Sequence, residues 1–186
     1  MKSLIVVDCQ YDFIDGTLAC ENAENAVLNI IDYINKNDVD VYYSMDWHTK
    51  DNKSFIVNGG IWPVHCLQGE RGAMLHEKFG ELIDDSSKTP NPENVFYKGL
   101  NDEIEEYSAY SAKTESGVVL NEAVEESVVV SGIASEYCVR ETALALLEDG
   151  FKVQLLYSGL GYVNKSDHLK NLEDLRNRGV NVIGTD

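Results

Sequence analysis

Six short β-branched runs, separated by stretches with helical spacing, constrain this chain more than any other feature of its sequence. They are Leu4–Val7, Val39–Ser44, Val95–Tyr97, Ser127–Ser131, Val153–Tyr157 and Val180–Ile183. Most are continuous apolar runs, the pattern of a strand covered on both faces. Between them, Glu24–Asn37 places Val27, Ile30, Ile31 and Ile34 on one stripe. Tyr137–Asp149 carries Ala143, Leu144, Leu146 and Leu147 before Gly150, and Ser166–Arg178 has Ser166 as a cap and Gly179 as a stop. Strands alternating with helices predict an α/β fold: a three-layer sandwich with a mainly parallel sheet of roughly six strands and helices on both faces. The 186 residues fit one domain over 1–186.

The segment 46–92 breaks the rhythm, holding all three prolines and three of the four histidines. A connection of this length is read as a functional insertion. The charge sum, 15 basic against 32 acidic residues or −17, repels phosphate backbones and argues against a nucleic-acid partner. No apolar run approaches the ~20 residues that span a bilayer, so no membrane partner is expected. The apolar stretch before Asp8 is too short for a signal peptide, and Cys9, Cys20, Cys66 and Cys138 show no CxxC spacing. A reduced, cytoplasmic setting follows as the expectation, with a homo-oligomer left open.

In open α/β sheets, ligands bind beyond the carboxyl ends of the strands. Asp8, Asp46, Lys98 and the segment Gly132–Cys138 fall there. Cys138 begins a helix, where the macrodipole and free N–H groups favour a thiolate and could hold an oxyanion. Taken alone, it is as readily a small buried apolar residue. A lone strand-end aspartate is as readily a hydrogen-bonded structural group, and a lone strand-end lysine is usually solvated. Together, Asp8, Lys98 and Cys138 would supply an acid/base, a cation to steady it, and a nucleophile.

Asp46, His48 and His65 form a second constellation, suited to Zn²⁺, Fe²⁺ or Mn²⁺. Loop histidines without a compact two-histidine motif are more often exposed or caps. Phe13, Trp62, Tyr107, Tyr110 and Tyr137 are core residues by default, or else walls for a flat aromatic substrate. His76 and His168 are read as plain surface residues, and Asp102-Glu103-Ile104-Glu105-Glu106 as a solvated acidic turn.

Six blocks, in order over nearly the whole chain, resemble the nicotinamidases among the isochorismatase-like cysteine hydrolases. They are Asp8-Cys9-Gln10-Tyr11-Asp12-Phe13, Asp46-Trp47-His48 followed by Ser54-Phe55, and Trp62-Pro63-Val64-His65-Cys66-Leu67-Gln68-Gly69. Then come Phe96-Tyr97-Lys98-Gly99, Tyr107-Ser108-Ala109-Tyr110, and Gly132-Ile133-Ala134-Ser135-Glu136-Tyr137-Cys138-Val139.

The resemblance implies hydrolysis of nicotinamide to nicotinate and ammonia through a cysteine thioester, in NAD salvage, with pyrazinamide as a further substrate. It makes Cys138 the nucleophile, Asp8 the proton carrier and Lys98 its steadying partner, with an oxyanion hole from the N–H groups of Ala134 and Cys138. It also implies a cis bond between Ile133 and Ala134. Phe13, Trp62, Tyr107, Ile133 and Tyr137 would contact substrate. One divalent metal, zinc first and iron or manganese as alternatives, would sit on Asp46, His48 and His65 and take the pyridine nitrogen. The family often has a second histidine four residues after the first. Asn52 stands there, so Asn52, the adjacent Asp51 or water could complete the site. The alternatives are a cysteine amidohydrolase acting on a non-pyridine amide or ureido compound, and a catalytically dead binding protein. A dinucleotide-binding protein is disfavoured because no GxGxxG follows the first strand.

Overall fold

The computed structural model describes residues 2–184. All six expected strands form: β1 (Lys2–Val7), β2 (Val39–Asp46), β3 (Val95–Lys98), β4 (Ser127–Gly132), β5 (Lys152–Leu160) and β6 (Asn181–Ile183). They make one sheet in the order β3-β2-β1-β4-β5-β6, with every pairing parallel. The helices are α1 (Tyr11–Ile14), α2 (Ala23–Lys36), α3 (Lys78–Glu81), α4 (Leu120–Ala123), α5 (Arg140–Glu148) and α6 (Lys165–Arg178). Among the described residues, no helix is long and apolar enough to cross a membrane.

Strand periodicity sorts the core into two layers. Leu4 and Val6 of β1 face the cluster that holds Val27, Ile30, Ile31 and Ile34 of α2. Ile5 and Val7 face the opposite cluster, with Ala143 and Leu146 of α5 and Leu172 and Leu175 of α6. The sheet is therefore covered on both sides, which is why its central strands carry so few polar residues.

Two details differ from the expectation. The cap of α6 is Asn164, whose Oδ1 accepts from the N–H groups of Ser166 and Asp167 at 2.9 and 3.1 Å, so Ser166 lies inside the helix. Gly179 does end it, at φ +108°. The segment around Cys138 opens with a π-type turn, Ser135–Val139, before α5. Such single turns insert one extra residue per loop of helix and recur at functional sites.

The strand order reverses between β1 and β4, so the crevice beyond their carboxyl ends is the natural ligand position. Asp8 leaves β1 there and the π turn leaves β4. Gly132 closes β4 at φ +117°, where a Cβ would lie 2.0 Å from the Val7 carbonyl oxygen. Only glycine lets the two strand ends approach so closely.

Candidate active site

Three strand ends, those of β1, β2 and β3, deliver the buried charged groups, and the turn after β4 brings Cys138. β2 and β3 are in register with Asp46 opposite Lys98, so both side chains leave the sheet at the same level. Lys98 Nζ lies 2.5 Å from Asp46 Oδ1, 2.8 Å from Asp8 Oδ2 and 3.5 Å from Cys138 Sγ, and donates to the Glu106 carbonyl at 3.2 Å. Asp8 is held from the other side by Ser44, whose hydroxyl donates to Oδ1 at 2.6 Å. Asp8 itself sits at φ +47°, a left-handed conformation that aspartate tolerates better than most residues. One carboxylate oxygen of Asp8, one of Asp46 and Cys138 Sγ all lie within 4.8 Å of one another. Asp8, Lys98 and Cys138, far apart in sequence, thus meet in one cluster.

Their proton affinities follow from burial and from the single cation they share. Burial raises the Asp8 carboxyl above its ordinary range against the pull of Lys98. Asp46 is as deeply buried, yet Lys98, His48 and His65 together hold its carboxyl below the usual range. Lys98 is buried too, but Asp46, Asp8 and Cys138 keep its ammonium charged well above the normal lysine range. Burial also pushes the Cys138 thiol well up, with Lys98 opposing. Desolvation, with Asp8 and Asp46, outweighs the pull of Lys98 and favours the thiol form of Cys138, the form from which the expected proton transfer to Asp8 starts. A protonated nucleophile needs a base in contact, and a carboxyl with a raised proton affinity is well matched to take a proton and return it.

Beside this group stand Asp46, His48 and His65, with one donor atom from each within 4.8 Å of the others. His48 Nδ1 lies 3.0 Å from the Gly99 carbonyl and His65 Nδ1 2.7 Å from the Pro63 carbonyl. If those nitrogens carry the protons, both Nε2 atoms are free as ligands, with Asp46 Oδ2 3.6 and 3.9 Å away. His48 Nε2 is buried without a hydrogen-bond partner. Two imidazoles and a carboxylate with an orphaned buried nitrogen fit a divalent metal.

Asn52 is placed differently from its expected role. Its Oδ1 accepts from the Ser54 N–H at 2.9 Å, and its Nδ2 lies 3.1 Å from His48 Nδ1, the nitrogen turned away from Asp46. With its oxygen engaged by the Ser54 N–H, the side chain offers none to the ion.

A narrow cleft opens over these groups, lined by Phe13, Trp62, Tyr107, Tyr137, Ala134 and Cys138 with Asp46 and His65. Trp62 Nε1 donates to the Tyr107 hydroxyl at 2.9 Å, and the Trp62 and Tyr137 rings meet edge to face at 5.2 Å. Such braced rings make a slot for a flat heterocycle. Ile133 is the exception among the expected contacts: its side chain is fully buried in the cluster under α2 and does not line the cleft. The peptide bond from Ile133 to Ala134 is cis, and Ala134 lies extended at φ −95° as the turn begins.

Several supporting residues carried no role in the sequence reading. Gln10 stands in the first block, and its amide clasps Asp46 from both sides: it donates to the Asp46 carbonyl at 2.8 Å and accepts from the Asp46 N–H at 2.9 Å. Thr142 donates to the Cys138 carbonyl at 2.7 Å. His168 is buried, with Nδ1 2.7 Å from Ser135 Oγ and its ring stacked on Tyr162, so it is no surface residue. His76 is buried as well, against Glu24 at 3.1 Å. Both bury their rings because a neighbouring oxygen satisfies a ring nitrogen. Glu105, assigned to a solvated turn, lines the cleft.

Comparison with known proteins gives the following. The sequence profile of the isochorismatase domain matches residues 2–186. The nicotinamidase of Escherichia coli (strain K12) is 30% identical, covering 88% of this chain and 84% of its own. Among solved structures, the pyrazinamidase of Pyrococcus horikoshii in complex with zinc superposes with a TM-score of 0.80 at 30% identity, covering 97% of each chain. PnC1 from L. infantum in complex with nicotinate does so with a TM-score of 0.83 at 28% identity, covering 98% of this chain and 92% of that one.

Proposed function

The chain belongs to the isochorismatase domain family, and from that premise we propose that it acts as a nicotinamidase, hydrolysing nicotinamide to nicotinate and ammonia. The observation that carries the reading is one buried ammonium, Lys98, in contact with both the Asp8 carboxylate and the Cys138 sulfur, where Cys138 lines a cleft walled by aromatic rings. The likeness to a nicotinamidase and to a structure holding nicotinate supports the same substrate.

Asp8 takes the proton of the Cys138 thiol as sulfur attacks the carboxamide carbon. The N–H groups of Ala134 and Cys138 are assigned to the oxyanion of the tetrahedral intermediate. Ammonia leaves only as a protonated amine, so Asp8 passes its proton to the departing nitrogen as the carbon–nitrogen bond breaks. The product left on Cys138 is a nicotinoyl thioester. Water, deprotonated by Asp8, then attacks this thioester, the carbon–sulfur bond breaks, and sulfur recovers the proton. Lys98 stays charged throughout and stabilises whichever of Asp8 and Cys138 is anionic. Phe13, Trp62, Tyr107 and Tyr137 hold the ring.

Asp46, His48 and His65 would hold one divalent metal; the donor set suits zinc, iron or manganese, and the zinc-bound relative favours zinc, without Asn52 as a ligand. When bound, such an ion supplies a Lewis acid for a pyridine nitrogen, which would orient the carboxamide toward sulfur and select pyridines over other amides. Pyrazinamide shares that ring nitrogen and is expected as a second substrate. We read residues 1–186 as one catalytic unit in which 46–92 is the metal-binding and substrate-lining insertion. With its four cysteines unpaired, the chain suits the reducing cytoplasm.

The test is ammonia release by purified, metal-analysed protein from nicotinamide, pyrazinamide and carbamoyl compounds in parallel. Turnover of nicotinamide and pyrazinamide alone is the expected result. Folded, metal-loaded protein that releases no ammonia from nicotinamide, or that prefers a ureido compound, would overturn the reading.

A further inference from the structure

Glu105 is the one acid in the run 102–106 whose carboxylate has no partner among the described residues. Asp102 accepts from the Thr49 hydroxyl at 2.9 Å, Glu103 is paired with Lys53, and Glu106 accepts from the Asn101 N–H at 3.3 Å. Glu105 instead lines the cleft with Asp46, His65, Trp62, Tyr107 and Cys138. Its backbone is fixed on the following side, because Lys98 donates to the Glu106 carbonyl at 3.2 Å. Partial burial and the Asp46 carboxylate raise its carboxyl above the ordinary range, with His48 and Lys98 opposing.

We propose that Glu105 is a specificity-determining residue that sets the cleft against an anionic ring acid and so separates product from substrate. This rests on the nicotinamidase reading above. The substrate is neutral and the product is a carboxylate, so one fixed negative charge at the cleft weakens binding of the product alone. The bound anion otherwise has favourable surroundings: Lys98 is at the reacting end, and a divalent cation would add to it. Asp8 and Asp46 offset part of that attraction from beneath, and Glu105 adds a further negative charge from the wall of the cleft, so nicotinate is held less tightly than it would be without it. Glu105 is exposed to solvent on one side, so its effect is that of a screened charge, not of a buried one.

The experiment compares Glu105→Gln with the wild type at pH 8, where an ordinary carboxyl is ionised. It reads the ratio of the nicotinate inhibition constant to the nicotinamide KM, both from initial rates of ammonia release at low and high salt. We expect that ratio to fall about three- to tenfold in the variant at low salt, and the difference to shrink at high salt. The inhibition constant of the neutral ring 3-methylpyridine, relative to the same KM, should stay within about twofold of the wild type. A ratio that is unchanged or raised, or a 3-methylpyridine constant that moves with nicotinate, overturns the proposal. Active wild-type enzyme with any of those outcomes refutes this role for Glu105, whereas absence of nicotinamide turnover in the wild type refutes the function itself.

Discussion

Lys98 reaches Asp8 over an intervening strand: β2 lies between β3 and β1, yet Lys98 Nζ is 2.8 Å from Asp8 Oδ2 and both side chains are buried. Two strand spacings are about 9.6 Å, a gap that a lysine and an aspartate can close together where a shorter cation could not. Lys98→Met should therefore strand two buried carboxylates, Asp8 and Asp46, and destabilise the fold by roughly 3–5 kcal/mol. Combining it with Asp8→Asn should cost less than the sum of the single changes, because the neutral amide no longer needs the cation. Urea unfolding of the four proteins measures the coupling; strict additivity would remove the ion pair from the account.

Cys138→Ala should lower ammonia release by at least ~10³-fold while the thermal transition moves only slightly, since a small buried side chain is replaced by another. The matched measurements are the nicotinamide assay and a melting curve. Wild-type turnover in a folded variant would remove sulfur from the chemistry.

Burial raises the Cys138 thiol, so its deprotonated fraction grows only at alkaline pH. In metal-stripped protein, the rate of alkylation by iodoacetamide, followed by peptide mass, should keep rising beyond the ~8.5 at which a free cysteine is half ionised. A plateau below about pH 8 would mean that a resting thiolate exists after all.

Metal content should separate Asn52 from the histidines. Asn52→Ala should retain about one ion per chain by elemental analysis, whereas His65→Ala should lose most of it. Chelation should abolish ammonia release, and added divalent metal should restore it. Loss of metal in Asn52→Ala with an intact fold would restore that residue to the ligand set.

Gly99 sits at φ +70° with its would-be Cβ 2.4 Å from His48 Cε1. Gly99→Ala should therefore push the imidazole from its place and strain the loop by ~1–3 kcal/mol. Because the Gly99 carbonyl also meets His48 Nδ1, metal affinity should fall about 10- to 100-fold. Isothermal titration with zinc tests this directly, and an unchanged affinity would show that His48 is not the ligand.

Much of this protein was legible in the order of its residues. The six apolar runs and the helical stripes fixed a doubly covered parallel sheet, because the periodicity of burial is written in the chain itself. The strand-end positions of Asp8, Asp46, Lys98 and Cys138 pointed to one crevice, because parallel strands all present their carboxyl ends on the same side. What the sequence left open depends on distances between segments that are remote along the chain. Protonation of Cys138 turns on how much water reaches it and on where Lys98 stands. Asn52 was a candidate ligand because it stands where the family it resembles often has a histidine, until the Ser54 N–H claimed its oxygen. Glu105 looked like its solvated neighbours, and only the folding of loop 100–107 over the cleft distinguished it. His76 and His168 became interior residues because an oxygen from another element met each ring. Desolvation and pairing are properties of neighbours in space, and those are chosen by the tertiary structure alone.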